Sequence, residues 1–358
     1  MEALESGHQQ GDGPFTARAS KMVSDLVGGG HVLLTPSCTH ALEMTSMLGN
    51  FGPGDEVILP SYTFTSAATA VTKFGATPVF VDIDPITKGI DANQVADAVT
   101  DKTVAISWVN YAGVAPDIEA LQSIARKHDL LLIEDNAHGL GGAYKGKPLG
   151  SFGDFATQSF HATKNIQCGE GGALVINNSK FKARAEIIRE KGTDRSKFMR
   201  GEVQKYQWVD QGSSYLMAET LAATLLGGLE DFHDIQRKRL STWELYSNLL
   251  PTSANYKKMH NSSTSTNIAH MYYIATAESD KKFNEDVLNN KEVKYQSHYQ
   301  PLCQSMAGKK LGMSTQINSV SIQFSSTQIR LPLFYDITRN EIEKVLENLS
   351  KTIADNQR

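Results

Sequence analysis

The sequence predicts an α/β protein: a large, mainly parallel sheet flanked by helices over residues 1–235, followed by a smaller α+β unit over residues 236–358. Three observations predict this. From Val32 to Asn177, short apolar runs alternate with helical patterns. The runs are almost continuously apolar, as strands covered on both faces are. After Pro251 the character changes, and short strands mix with helices.

In chain order, strands are expected at 32–34, 56–59, 77–82, 103–109, 130–134, 155–160 and 173–176. Helical spacing falls between them at 39–48, 66–74, 92–98 and 118–127. Turns come from Gly52-Pro53-Gly54-Asp55, Asp84-Pro85, Gly113 and Pro116. The last two runs are joined by a glycine-rich corner in place of a helix, which leaves one of them open to running antiparallel. Residues 221–250 read as one long amphipathic helical segment, with Leu225, Leu226 and Leu229 beside charged residues. Beyond Pro251 the expected strands are 271–276 and 294–298, and the expected helices 283–288 and 339–353. Residues 261–266 form a polar loop, and the sequence holds no tandem repeat or coiled coil.

The 358 residues carry a formal charge of −4 and are 40% hydrophobic, ample for a core. Mild acidity argues against nucleic acid as the main partner. No apolar run approaches the roughly 20 residues that span a bilayer, so no membrane partner is expected. Residues 1–13 are polar and lack the apolar stretch of a signal peptide. Cys38, Cys168 and Cys303 form neither a disulfide framework nor a zinc pattern, so no metal and a cytoplasmic location are expected.

Lys164 ends the segment Ser159-Phe160-His161-Ala162-Thr163-Lys164, just before Gly169-Glu170-Gly171-Gly172. A lysine at a sheet edge can form a Schiff base with an aldehyde cofactor if its pKa leaves some neutral amine; the plain alternative is a solvated lysine. In Thr35-Pro36-Ser37-Cys38-Thr39-His40, backbone amides and a hydroxyl at a helix start suit a dianionic phosphate, or Ser37 or Thr39 simply caps the helix. Asp135 closes an apolar strand where open α/β sheets bind ligands. It is suited to keep a pyridine nitrogen protonated, or it caps a helix at Asn136-Ala137-His138. Phe64, in Pro60-Ser61-Tyr62-Thr63-Phe64, stacks on a planar ring or packs in the core. Ser159 lies earlier on the strand that leads to Lys164. A phosphate cradle, a stacker, an acid and an amine thus follow in order at the ends of successive strands, and together they point to pyridoxal 5′-phosphate (PLP). Asn110, His138, His161 and His298 lie near these segments without metal spacing. No Gly-x-Gly-x-x-Gly follows the first strand, which disfavours a nicotinamide enzyme.

Pro36-Ser-Cys-Thr-His-Ala-Leu42, Gly54-Asp-Glu-Val-Ile-Leu-Pro-Ser-Tyr-Thr-Phe64, Phe80-Val-Asp-Ile-Asp-Pro85, Glu134-Asp-Asn-Ala-His138 and Ser159-Phe-His-Ala-Thr-Lys164 resemble the sugar-nucleotide aminotransferases of the DegT/StrS type. These are fold-type I PLP enzymes, and the resemblance covers nearly the whole chain. It implies that Lys164 is the Schiff-base lysine and Asp135 the partner of the pyridine nitrogen. It implies that His138 contacts the ring and Phe64 stacks on it. The Cys38 and Thr39 amides, the Thr39 hydroxyl and Ser159 then form the phosphate site. One subgroup is resembled more closely, through Glu190-Lys-Gly-Thr-Asp-Arg-Ser-Lys-Phe-Met-Arg-Gly201, Lys205-Tyr-Gln-Trp208 and Gly212-Ser-Ser-Tyr-Leu-Met217. That subgroup makes TDP-4-amino-4,6-dideoxygalactose from a TDP-4-keto-6-deoxyhexose, with glutamate as donor, for enterobacterial common antigen and related surface glycans.

The resemblance further implies a homodimer with shared active sites, in which Ser214 reaches the phosphate of the neighbouring protomer. Arg195, Lys197 and Arg200 face a nucleotide diphosphate or form a solvated loop; His161 and His298 belong to the substrate side. The sequence departs from relatives in two places. The segment they carry before Gly11-Asp-Gly-Pro-Phe-Thr16 is missing, which bears on dimerisation and the mouth of the site, and Asn110 stands where many have histidine. Other readings stay open: amination at C3, the gluco epimer, or a non-catalytic relative. PLP-dependent sugar dehydratases of the family are disfavoured, because they replace this lysine with histidine.

Overall fold

The computed structural model of the chain describes residues 2–277, 281–314 and 316–356; Met1, at the start of the polar N-terminal stretch, lies outside them. The strands are β1 (His31–Thr35), β2 (Glu56–Pro60), β3 (Thr77–Val81), β4 (Thr103–Val109), β5 (Leu131–Asp135), β6 (Phe155–Ser159), β7 (Gly172–Ile176), β8 (Tyr256–Lys258), β9 (Tyr272–Thr276), β10 (Met313–Ser314) and β11 (Gln328–Leu331). The first seven begin and end within one residue of the apolar runs that predict them. The helices used below are α1 (Pro14–Leu26), α2 (Cys38–Leu48), α3 (Ser66–Thr72), α4 (Ala92–Ala98), α5 (Ile118–His128), α6 (Lys182–Arg189), α7 (Arg195–Met199), α8 (Glu219–Glu230), α9 (Phe232–Leu249), α10 (Lys281–Leu288), α11 (Ser319–Thr327) and α12 (Arg339–Asn356).

The large sheet has the order β1-β7-β6-β5-β4-β2-β3-β10. Strands β2 to β6 pair in parallel, and β7 runs antiparallel between β6 and β1. The glycine corner before β7 therefore makes the one reversal that the sequence left open. Gly172 is required there: a Cβ on it would lie 2.3 Å from the Cys38 nitrogen, so only glycine lets β7 pass against the first turn of α2.

Alternation along the strands fills both faces. Leu33 joins Leu42, Phe155 and Leu174 in one layer, while Val32 and Leu34 join Val175, Leu225 and Leu229 in the opposite one. Ile58, Val79, Ile106 and Trp108 pack on Val95 of α4 and Leu121 of α5. Each such side chain contributes about 1.5–3 kcal/mol on full burial. A second, antiparallel sheet, β8-β9-β11, packs with Trp243 and Tyr246 of α9, Phe283 of α10 and Ile342 of α12 in its own core. The boundary expected at 235 falls inside α9, and β10 returns from the C-terminal stretch to the large sheet.

Two sequence expectations are corrected. The single segment 221–250 is two helices, α8 and α9, which break at Asp231 (φ −89°, ψ 8°). The break redirects the apolar face: Leu225 and Leu229 serve the large sheet, whereas Trp243 and Tyr246 serve the small one. Residues 294–298 do not form a strand; only Gln296 bridges to Arg330. Past Gln296, the His298 amide is taken by the Gln328 side chain at 2.9 Å in place of a backbone ladder.

Two buried carboxylates cap helices far away in sequence. Glu219 accepts the amides of Gly13 (3.0 Å), Phe15 (2.9 Å) and Thr16 (2.9 Å) and the Thr16 hydroxyl at the start of α1. A Cβ on Gly13 would sit 2.5 Å from Glu219 Oε2, so the contact requires glycine. Asp82 accepts from Val320 N (2.8 Å), Ser321 N (2.7 Å) and Ser321 Oγ (2.6 Å) at the start of α11. Each satisfies amides that the helix geometry leaves open.

Candidate active site

A cavity of about 470 Å³ opens at the carboxyl ends of the parallel strands. Strand β5 ends in Asp135, and its neighbour β6 ends in Ser159 and leads into the turn that carries Lys164. The Lys164 amide donates to His161 O (2.9 Å), but its side-chain amine has no hydrogen-bond partner among the described residues. Burial lowers its pKa from the ordinary lysine value; Cys38 and Asp135 oppose the shift and Arg330 reinforces it. This is the condition for an amine that spends part of its time neutral.

Asp135 is 6% exposed. Its Oδ1 accepts from Ala137 N (3.1 Å) and Thr157 Oγ1 (3.5 Å), and no protein donor among the described residues reaches Oδ2. No helix follows it, so the capping alternative gives way to a local turn. Burial raises its carboxyl above the usual range, while the Ala137 amide, Lys164 and Thr157 pull it back.

At the start of α2 the capping alternative is observed, and it leaves two amides open. The Ser37 hydroxyl accepts from His40 N (3.2 Å) and the Ser37 carbonyl from Ala41 N (3.2 Å). The Cys38 and Thr39 amides keep no acceptor among the described residues, which leaves the helix N-terminus able to take an anion. Thr39 Oγ1 pairs with Ser66 Oγ at 2.7 Å, and the Ser159 hydroxyl lines the same cavity without a partner among the described residues. Phe64 lies on the cavity wall, 57% exposed, with its ring 6.0 Å from that of Tyr299.

Three histidines close another side. His138 stacks on His270 with ring centres 4.3 Å apart. The Ala112 amide donates to His138 Nδ1 (3.4 Å), so that nitrogen is unprotonated. Asn165 donates to Ile268 O (2.8 Å), which turns its carbonyl oxygen to His270 Nδ1 (3.1 Å) and fixes that nitrogen as a donor. Burial, then Lys164, holds both rings well below the usual imidazole range, so both are neutral. Gln328 accepts from His298 N and donates to Tyr111 Oη (3.0 Å), which also meets His298 Nδ1 at 3.1 Å. Arg330 Nη1 donates to His298 Nε2, and burial followed by Arg330 pushes His298 down to about 3.

Lys164, Asp135, Cys38, Thr39, Phe64, His138, Ser159, His161 and His298 therefore share one cavity. Arg195, Lys197, Arg200 and Ser214 lie away from it within one chain. Arg195 is paired with Glu190, and Arg200 with Glu186 (2.9 Å) and Glu202 (2.6 Å). His31, whose Nε2 lies 3.2 Å from Glu186 Oε1, and then Arg200 hold the Glu186 carboxyl down at about 2. Sequence reasoning missed His270 and Arg330. Arg330 stands in the alternating run Gln328-Ile329-Arg330-Leu331, and its buried Nε has no partner among the described residues; a charge inside a strand was the available signal. Among the described residues no helix is long and apolar enough to cross a membrane.

Comparison with known proteins identifies the family and the fold. The chain is 33% identical over 293 residues to GDP-perosamine synthase of Caulobacter vibrioides, covering 81% of this chain and 76% of that protein. Among solved structures, the aminotransferase TlmJ of Streptoalloteichus hindustanus superposes with a TM-score of 0.91 at 25% identity, over 100% of this chain and 95% of that one. The putative sugar aminotransferase Spr1654 of Streptococcus pneumoniae, in its PMP form, gives 0.90 at 26% identity over 99% and 95%. The same protein is also known in a PLP form. The architecture is that of the fold-type I transferases, a large mixed, mostly parallel sheet between helices. A model of the DegT/DnrJ/EryC1/StrS aminotransferase family matches residues 1–350, and the chain belongs to that family.

Proposed function

We propose that this sugar aminotransferase moves an amino group from glutamate to C4 of a TDP-4-keto-6-deoxyhexose, giving TDP-4-amino-4,6-dideoxygalactose for cell-surface polysaccharide, and that it works as a homodimer in the cytoplasm. The observation that carries the reading is the convergence of an unpartnered lysine amine, a carboxylate with one free oxygen and two free helix-start amides on one cavity. PLP fits these residues. Lys164 would hold it by the amine, Asp135 would partner the ring nitrogen, and the Cys38 and Thr39 amides with the Thr39 and Ser159 hydroxyls would take the phosphate. Bound there, PLP supplies an electron sink for negative charge developing on the donor carbon.

The protein's own groups supply the rest. Once the donor amine has taken its place, Lys164 Nζ would accept the proton from the donor Cα, its lowered pKa favouring the neutral amine. Asp135 stays ionised once a cation lies against Oδ2, because an opposite charge in a buried site offsets the effect of burial. Phe64 and His138 flank the ring. Neutral His138 and His270 add no positive charge to compete with Arg330 for a carboxylate. Arg330, with its free Nε, is suited to the carboxylate of glutamate, and His298 holds its Nη1 in place. His161, exposed beside Glu170, lies at the mouth on the sugar side.

Arg195, Lys197, Arg200 and Ser214 belong to this reading only through a dimer. They lie on a stretch that also exposes Phe198, Met199, Tyr206 and Trp208, the last 80% exposed, and a second copy would cover these and receive the cations at its own cavity. The choice of sugar rests on the resemblance of residues 190–217 to the galacto-specific subgroup.

The test is to incubate the PLP-loaded protein with glutamate and a panel of TDP- and GDP-linked 3-keto and 4-keto sugars, and to identify the product by NMR. The expected product is TDP-4-amino-4,6-dideoxygalactose. A 3-amino product would overturn the sugar assignment, and no amino sugar from any acceptor would overturn the transaminase reading.

A further inference from the structure

Among the described residues, the Asp135 carboxylate is held by one of its two oxygens. Ala137 N (3.1 Å), Thr157 Oγ1 (3.5 Å) and Cys38 Sγ (4.0 Å) all approach Oδ1. The Cys38 thiol also lies 3.5 Å from Thr157 Oγ1. A thiol has one proton and a hydroxyl one proton. The arrangement that uses both runs from Cys38 S–H to Thr157 Oγ1, and from the Thr157 O–H to Asp135 Oδ1. Thr157 is fully buried, and its hydroxyl has no other hydrogen-bond partner among the described residues.

The strand register builds this contact. Asp135 and Thr157 are paired residues on the parallel strands β5 and β6, so their side chains leave the sheet side by side. Two residues beyond Thr157 on the same face comes Ser159, at the cavity. Cys38 enters from the first residue of α2, the helix whose open amides are the proposed phosphate seat. One short chain of groups therefore joins the phosphate end of the cavity to the ring-nitrogen end.

We propose that Thr157 and Cys38 are positioning residues, which lock Asp135 by Oδ1 so that Oδ2 alone faces the ring nitrogen of the cofactor. This rests on the reading of Asp135 as partner of that nitrogen. Donors on Oδ1 also make the carboxylate a weaker base, which keeps the shared proton on the ring nitrogen. The Thr157 hydroxyl acts in that direction on Asp135, against the larger effect of burial.

The test uses the full protein loaded with PLP carrying ¹⁵N at the ring nitrogen, whose chemical shift reports the protonation of that atom across a pH series. Thr157→Val, which keeps the side-chain shape, is expected to weaken the proton affinity of the ring nitrogen roughly tenfold, the scale of one hydrogen bond to a charged group. Thr157→Ser and Cys38→Ser are expected to stay near wild type, and Cys38→Ala to shift in the same direction by less. If Thr157→Val protein does not take up PLP, the Cys38→Ala and Cys38→Ser pair decides. A merely structural role would lower the melting temperature without moving the nitrogen signal.

Asp135→Ala separates this inference from the reading beneath it. If Asp135→Ala moves the signal and neither Thr157→Val nor Cys38→Ala does, the relay is overturned and the Asp135 assignment stands. If Asp135→Ala leaves the signal where it is, both fall.

Discussion

Glu134 and Asp135 are consecutive carboxylates at the end of one strand, and the pleat sends them to opposite faces of the sheet. Glu134 is fully buried, and protein donors surround it: Asn110 Nδ2 at 2.8 Å, Gly150 N at 2.7 Å and Phe152 N at 3.0 Å. Asp135 receives its protein donors on one oxygen and presents the other to the cavity. Burial raises the carboxyl pKa of each. The difference is in what is left over. Glu134 is used up in holding the loop after β5, whereas Asp135 keeps an acceptor free for something that is not protein. One residue of register separates an acid used by the fold from the one proposed for the chemistry.

The largest expected effect breaks the chemical member. Asp135→Asn should cut kcat by about 10²–10³-fold, the scale of losing one preorganised electrostatic partner, with the fold intact by circular dichroism. A variant within threefold of wild type would end the distinction. Glu134→Ala should do the reverse. It strands three buried donors, at about 1–3 kcal/mol for each one left unsatisfied, so the urea midpoint falls steeply. Glu134→Gln should recover part of that loss.

Arg330→Lys sharpens the comparison on the donor side. It keeps the charge but loses the guanidinium fork, and KM for glutamate should rise about tenfold with kcat little changed, as for a ground-state contact. The smallest effect is a pH signature without cofactor. Burial raises the folded Asp135 carboxyl above the usual carboxylate range, so the stability it contributes is present at low pH and is lost as pH rises through the folded value. Asp135→Asn without PLP should therefore gain on wild type in melting temperature as pH rises from 4 to neutrality. A constant gap would show that the carboxylate is not desolvated.

The strands and the ends of β5 and β6 were legible in the sequence because apolar runs and sharp turns are local signals. Lys164 and Asp135 stand directly at those ends. His270 was not legible, and Arg330 was marked only by a charge inside a strand. They reach the cavity because the small sheet packs against the large one, more than 100 residues from Lys164, and no local pattern records that contact. Residues 294–298 misread for a related reason: Gln296 alone pairs, and the chain then bends so that His298 stacks on Tyr299 at 4.5 Å. The break at Asp231 was hidden because both helices are amphipathic, and only the direction of the apolar face changes.

The Glu219 cap has a consequence for how the chain is made. The start of α1 is complete only when a carboxylate more than 200 residues downstream arrives. At a synthesis rate of about 5–20 residues per second, the interval is on the order of ten seconds or more. During that time α1 has left the ribosome with its first amides open and its apolar face unpaired with α8. A nascent chain stopped before Glu219 should be cut by protease near Gly13, and one stopped well after it should resist. Asp82 repeats the design at the other end, waiting for Ser321. The N-terminal helix is thus among the earliest segments made and among the later ones secured.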